Sequence, residues 1–321
     1  RGWRVLPGVS FGPDGDMASL MIANMDPVGR LSVIAQGGYG NRGSWHGGSL
    51  SAALRGSRVE LETSGWYSEN APSKQVSGSF ASLDIDSRYT GGELAARYAR
   101  DHGTWGYALR AGGSLGQVNG NQLDGAGRAF GLADLRARLS WNVHGFGISP
   151  MIFAQGAQGT TGGDSWERTL VTGSLTLGGR KRSVRADGTV GHVTAAGPGD
   201  FGREFEQFAV GGSAPPFFDP AVLSQRVALP SVPVGYTAGR NLELYRVSLP
   251  LLGVRPFATW VAAGDKIHRY KRIFGVDKSI DVDAIGFARV PATSVRAGVG
   301  YSLDEPYNEK MRAYFGVVYR P

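Results

Sequence analysis

His46, His102, His144, His192 and His268 are the only imidazoles in the chain, and no two of them lie close together in sequence. A zinc site needs convergent ligands, and the short spacings that bring two ligands to one point are missing. With no cysteine, a thiolate site, a Cys nucleophile and a disulfide framework are all excluded. A serine nucleophile needs a histidine within reach. Gly163-Asp164-Ser165-Trp166 reads as a turn rather than a nucleophile elbow, and Gly37-Gly38-Tyr39-Gly40 lacks the strand-to-helix setting of a phosphate loop. No catalytic residue, cofactor or metal is therefore expected, and the chain is not read as an enzyme.

The informative residues are charges of both signs. Glu60, Glu62, Asp84, Asp86, Arg88, Arg110, Asp134, Arg136, Arg138, Arg185, Asp187, Arg296 and Arg312 each alternate with apolar neighbours. The clearest row is 131–144. Ala133, Leu135, Ala137, Leu139, Trp141 and Val143 share one face, and Asp134, Arg136, Arg138, Ser140, Asn142 and His144 share the other. The same period of two runs through 81–90, 183–190, 295–304 and 311–320. Helical periodicity is nearly absent, so the elements that position these charges are strands.

Two architectures write this pattern. A sandwich buries the apolar rows, whereas a membrane barrel turns them to lipid and keeps polar rows in its lumen. The strands form one unbroken series, as closure requires. Many apolar rows end in Trp or Tyr, as interfacial girdles do: Tyr39, Trp66, Tyr67, Tyr89, Trp105, Tyr107, Trp141, Tyr301 and Tyr319. Connections alternate short and long. Short ones fall at 26–29, 56–57, 102–103, 144–145, 179–180, 252–253 and Tyr307-Asn308-Glu309; long ones fall near 41–45, 69–78, 117–128, 157–167, 196–240 and 268–292. The expected fold is all-β, a transmembrane antiparallel β-barrel of about 15–16 strands spanning 1–321 as one domain in the bacterial outer membrane. The segments count to fifteen, although single-chain barrels of this kind carry an even number. A sixteenth is expected from a division of 79–101, from within 196–240 or beyond Pro321.

A barrel this wide holds water unless something fills it. The connection 196–240, with its rigid apolar Pro215-Pro216-Phe217-Phe218-Asp219-Pro220, is the expected in-folded plug or lid. The formal net charge of +7 is spread out rather than clustered, which argues against nucleic acid. Membrane lipid is the expected partner. A chain that starts at Arg1 reads as a mature or excised piece, with a soluble periplasmic domain or partner expected before it.

Several stretches carry a family likeness. They are Gly8-Val-Ser-Phe-Gly12 followed by Pro13-Asp-Gly15, Met25-Asp-Pro-Val-Gly-Arg30, Phe208-Ala-Val-Gly-Gly212, Leu244-Tyr-Arg-Val-Ser-Leu-Pro250, Val254-Arg-Pro-Phe-Ala-Thr-Trp-Val-Ala-Ala-Gly264 and Val295-Arg-Ala-Gly-Val-Gly-Tyr-Ser-Leu303. In order and spacing the chain resembles the sixteen-stranded barrel of the bacterial surface antigen superfamily, the outer-membrane assembly and two-partner-secretion barrels. The resemblance implies a membrane anchor or a translocation-type channel with a plugging loop. A porin-like diffusion channel and a membrane-embedded hydrolase are the alternatives. In that family the sixth loop carries Val-Arg-Gly-Phe/Tyr, whose Arg locks onto an acid of the thirteenth strand. Here 209–240 has only Arg226-Val227 and Gly235-Tyr236; the family Asp falls on Ala262, and a family Glu falls on Arg246. The POTRA domains of the family are absent from these 321 residues. With Arg246 where an acid is expected, the loop is expected to supply the acid from Asp219, Glu204 or Glu206. The lumen candidates are Arg246, Asp219, Glu204, Glu206, Arg136, Arg138, Arg185 and Asp187.

Overall fold

The structure is a computed structural model of the 321-residue chain. It describes residues 3–12, 15–25, 30–40, 45–56, 58–70, 88–120, 123–179, 182–194, 201, 205–212, 226–227, 229, 231–232, 236–251, 253–267, 269–285, 288–304 and 310–319. Asp84, Asp86, Glu204, Asp219, His268 and the run 215–220 lie outside the described residues.

The strands in chain order are β1 (Arg4–Gly12), β2 (Gly15–Met25), β3 (Leu31–Gly40), β4 (Trp45–Arg55), β5 (Val59–Asn70), β6 (Arg88–Asp101), β7 (Trp105–Gly120), β8 (Leu123–Leu139), β9 (Trp141–Val143) and β10 (Phe146–Thr161). They continue with β11 (Asp164–Gly179), β12 (Arg182–Val193), β13 (Phe208–Val210), β14 (Arg226–Val227), β15 (Thr237–Gly239), β16 (Asn241–Ser248), β17 (Arg255–Gly264), β18 (Lys271–Ile285), β19 (Ala288–Ser302) and β20 (Met311–Tyr319). β9 prolongs β8. Both pair with β10, and the register runs on unchanged past Ser140. The ladder breaks there because Pro150 faces Leu139 and has no N–H to donate. Apart from β13–β15, the elements pair neighbour to neighbour, all antiparallel, and β1 meets β20 to close a sixteen-stranded barrel.

The burial pattern is inside out. Leu135 and Leu139 are 37% and 41% exposed, whereas Asp134 between the same strands is 5% exposed. Val9, Phe11, Leu61, Leu94, Leu115, Val171, Leu175, Val247, Phe274 and Val299 also face outward. Glu93, Arg110, Arg128, Arg168 and Asp277 are buried inside. Such an outer surface is stable only in hydrocarbon, and a closed ladder leaves no strand edge there. No helix among the described residues is long and apolar enough to cross a membrane, which says nothing of a barrel.

Four sequence expectations are corrected. The sixteenth strand is β18, which lies inside the span 268–292 read as a long loop. It does not come from the three sources expected. The β19–β20 connection therefore lies at the opposite rim from the short turns: Arg269 beside the β17–β18 connection bonds Asp304 at 3.1 Å. The spans 117–128 and 157–167 are not loops either. The ladder β7–β8 continues to Gly120 opposite Leu123, and β10–β11 to a tight turn at Gly162-Gly163. Finally, Trp66 and Tyr89 are buried inside rather than in a girdle, and Arg88 faces outward to Glu69. Above the hydrocarbon, lipid no longer dictates which row points out, so the alternation loses its meaning at strand tops.

Strand length varies around the barrel. β7, β8, β10 and β11 have 16, 17, 16 and 16 residues, against 9 in β1 and 10 in β3. At roughly 3.3 Å per residue and about 40° of tilt, the long strands climb about 40 Å and the short ones about 25 Å. One wall therefore stands well above the membrane at the rim opposite the short turns.

Candidate functional site

The described residues of the connection between β12 and β16 lie inside the barrel, against the wall. Its strands β13, β14 and β15 form a separate three-stranded sheet, with β13 between the other two. Phe208, Val210, Leu229, Val232 and Tyr236 from this segment share one buried cluster with wall residues Leu170, Val193, Leu242, Leu244, Phe257, Val261 and Ile273. The wall is notched to receive it. A Cβ on Gly191 would lie 2.5 Å from the Phe208 ring, and one on Gly300 would lie 2.4 Å from the Ser231 Cβ. The Tyr236 hydroxyl and the Ser302 hydroxyl are 2.6 Å apart.

Glu206 opens this segment and is fully buried. Arg128 on β8 donates Nε to Oε1 at 2.6 Å and Nη2 to Oε2 at 2.8 Å. Arg168 on β11 donates Nη1 to Oε2 at 3.0 Å. The Thr161 hydroxyl donates to Oε1 at 2.8 Å, and the Trp166 indole N–H donates to Thr161 at 2.9 Å. The Arg128 guanidinium also lies 4.4 Å from the Phe130 ring centre. Burial alone would push the Glu206 carboxyl up. The Arg128 charge and hydrogen bonds, then Arg168 and Thr161, outweigh it and hold the carboxyl below its ordinary range. Beside this node Phe205 packs 5.1 Å from the Tyr89 ring.

Two further nodes sit lower in the lumen. Arg110 on β7 donates Nε to Glu62 at 2.7 Å, bonds Glu93, and has Asp134 at 3.7 Å. On the far wall, Asp277 of β18 accepts from Arg246 and Arg296, each at 2.5 Å, with the Tyr314 hydroxyl at 3.4 Å. The Arg246 guanidinium stacks 4.0 Å from the Phe257 ring centre. Among the described residues the acid that Arg246 bonds is Asp277 of the wall; of the three loop acids expected for it, Glu204 and Asp219 lie outside the described residues. Glu206 instead bonds Arg128 and Arg168.

The other expected lumen residues are dispersed. Arg185 and Asp187 bond each other along β12, Nε to Oδ1 at 2.7 Å. Asp187 lies opposite Arg246 in register. Arg138 pairs with Asp101 at the short-turn rim. Arg136 lies one inward position above it, 5.2 Å from the Phe153 ring centre. Sequence reading missed Arg128, Arg168 and Asp277. The signal was present: each begins or extends an apolar alternation that charges and glycines interrupt. His102 and His144 lie at short turns, and His192 faces outward with Nδ1 2.8 Å from Asn241. Among the described residues no group of three acidic or imidazole side chains could hold a metal.

No protein-family model and no curated protein matches the sequence. Solved structures do. BamA from Haemophilus ducreyi lacking POTRA domains 1–3 superposes with TM-score 0.61 at 12% identity, covering 98% of this chain and 69% of that one. CdiB from Escherichia coli gives 0.58 at 13% identity, covering 99% and 63%. CdiB from Acinetobacter baumannii gives 0.53 at 11%, covering 98% and 59%. The chain is thus similar in fold to these barrels and spans about three-fifths to two-thirds of their length. Barrel closure, the apolar outer surface and these likenesses define a bacterial outer-membrane β-barrel.

Proposed function

We propose that this barrel is a divergent relative of the assembly and two-partner-secretion barrels. It acts as a membrane anchor or translocation-type channel, with segment 196–240 serving as its plug and a soluble periplasmic domain or partner as its companion. The observation that carries the reading is Glu206. A loop carboxylate with no solvent access, gripped by two wall arginines, commits the segment to the lumen far more firmly than an exposed ion pair would. The reading reverses the family's polarity, in which the loop supplies the arginine. Here the loop supplies the acid, and the receiving wall is β8 and β11 rather than the strands carrying Arg246 and Ala262. No chemical step is assigned to the barrel; its charges bind one another.

Planar-bilayer recording tests this. The wild type is expected to show rare, brief openings, and Glu206→Ala large steady ones. Large steady openings from the wild type, unchanged by Glu206→Ala, would replace this reading with a passive diffusion pore.

A further inference from the structure

The outer surface near the short-turn rim sets an aromatic row beside arginines. Four rings run along it. His102 stacks on Trp105 with centres 4.3 Å apart, and Trp105 stacks on Tyr107 at 6.0 Å and 3° between planes. Tyr107 in turn lies 6.1 Å from Tyr98. Trp105 is 41% exposed, in the outward row that continues into Leu109. Such rings mark the headgroup level of a membrane. Short turns mark the periplasmic side.

Two guanidiniums flank the rings. Arg100 sits opposite Tyr107 in register and donates Nε to the Tyr98 hydroxyl at 2.5 Å. Arg58 occupies the β4–β5 turn beside Val59, which pairs with Tyr98. A cleft of about 480 Å³ opens at the rim between this turn and the end of β6; Arg55, Glu60, Arg97 and Asp101 line it from the lumen side, and Val59, Tyr98 and Arg100 from the outward row, with Arg58 at the turn between. The cleft's other arginines have acids: Arg55 meets Glu60 at 3.3 Å and Arg97 meets Glu62 at 4.0 Å. Its one aspartate, Asp101, is taken by Arg138. Among the described residues, Arg58 and Arg100 have no carboxylate within ion-pair range. The outer surface at the opposite rim differs. There Glu69 offsets Arg88, and Glu243 receives Tyr245 and Tyr270.

An uncompensated pair of arginines beside an aromatic row, at headgroup depth on a lipid-facing surface, has the chemistry that recognises a phosphate diester. Guanidinium takes phosphate oxygens two at a time, and basic groups at a membrane surface favour anionic lipid. We propose that Arg58 and Arg100, with Tyr98 and Tyr107, hold the phosphate of an anionic phospholipid of the periplasmic leaflet. The site is independent of the plug reading, because it lies at the short-turn rim and its Tyr98, Arg100 and Tyr107 belong to the outward rows of β6 and β7.

Native mass spectrometry of the detergent-purified barrel tests it, with phosphatidylglycerol, phosphatidylcholine and inorganic phosphate as probes. The wild type is expected to retain one phosphatidylglycerol in preference to phosphatidylcholine. Arg58→Ala/Arg100→Ala should weaken retention by roughly tenfold or more, since each basic group at a membrane surface contributes a substantial share of anionic-lipid affinity. Arg58→Lys/Arg100→Lys should retain an intermediate share, because lysine keeps the charge and loses the fork. Arg255→Ala, elsewhere on the same rim, should match wild type. Equal retention of the two lipids, or equal loss in Arg255→Ala, would overturn the site. Displacement by millimolar inorganic phosphate would overturn the lipid source and assign a soluble phosphate ligand. If the alanine pair fails to fold, shown by loss of the heat-dependent gel shift, the lysine pair alone decides by the same comparison.

Discussion

Glu206 and Asp277 are built alike and placed differently. Each is a carboxylate between two arginines, and each guanidinium has an aromatic ring beside it. Asp277 joins three wall strands that are already laddered together, so its pairs add stiffness to a structure closed by other means. Glu206 joins two wall strands to a segment whose described strands, β13–β15, ladder only with one another. The solvent exposures differ as well. The Arg128 and Arg168 side chains are 4% and 1% exposed, whereas Arg246 and Arg296 are 16% and 32% exposed. The same triad of charges acts as a latch in one place and as a brace in the other, and topology decides which.

The sharpest break in this comparison is Glu206→Ala. It strands two fully buried guanidiniums, so urea unfolding should show a loss of about 3–5 kcal/mol. Asp277→Ala leaves its arginines near water and should cost about 1–2 kcal/mol without altering conductance. A larger cost for Asp277 than for Glu206 would end the distinction. Acid should act on the latch late. The folded Glu206 carboxyl lies below its ordinary 4.5, so its contribution is complete above that value and is lost only as pH falls through the lower folded one. Steady openings that begin already at pH 5 in bilayers would contradict this. Within the latch, Arg128 gives two hydrogen bonds and Arg168 one. Arg128→Gln should therefore raise open probability more than Arg168→Gln. The smallest expected effect is Gly191→Ala, about 1 kcal/mol, because its methyl would push the Phe208 ring off the wall. Quenching of Phe208→Trp fluorescence, with and without the alanine, would measure that displacement.

The sequence carries the barrel through its period of two, and rows such as 131–139 need nothing more, because lipid outside and water inside impose opposite chemistry on neighbouring residues. Where that contrast ends, legibility ends. Arg128 and Arg168 lie on strand tops beyond the hydrocarbon and so fell within or beside spans read as loops. β18 was hidden because Lys271, Arg272, Asp277, Lys278, Asp281 and Asp283 crowd one strand with charge. Glu206 was identifiable as a loop acid, but its partners, 78 and 38 residues away, were not. Spacing along the chain says nothing about which strands a barrel brings face to face.

One feature of closure sets how the cylinder yields. Among the described residues β1 meets β20 at two positions only, Ser10 with Gly316 and Phe11 with Phe315, whose rings stand 6.1 Å apart, whereas β1 meets β2 at nine. Stress on the cylinder, from heat, thinning bilayer or a pulling partner, concentrates on that line, and amide protons of β1 and β20 will trade with deuterium before any others in the wall. The barrel is thus a ring with a clasp, and the clasp is set well away from the latch that holds the loop.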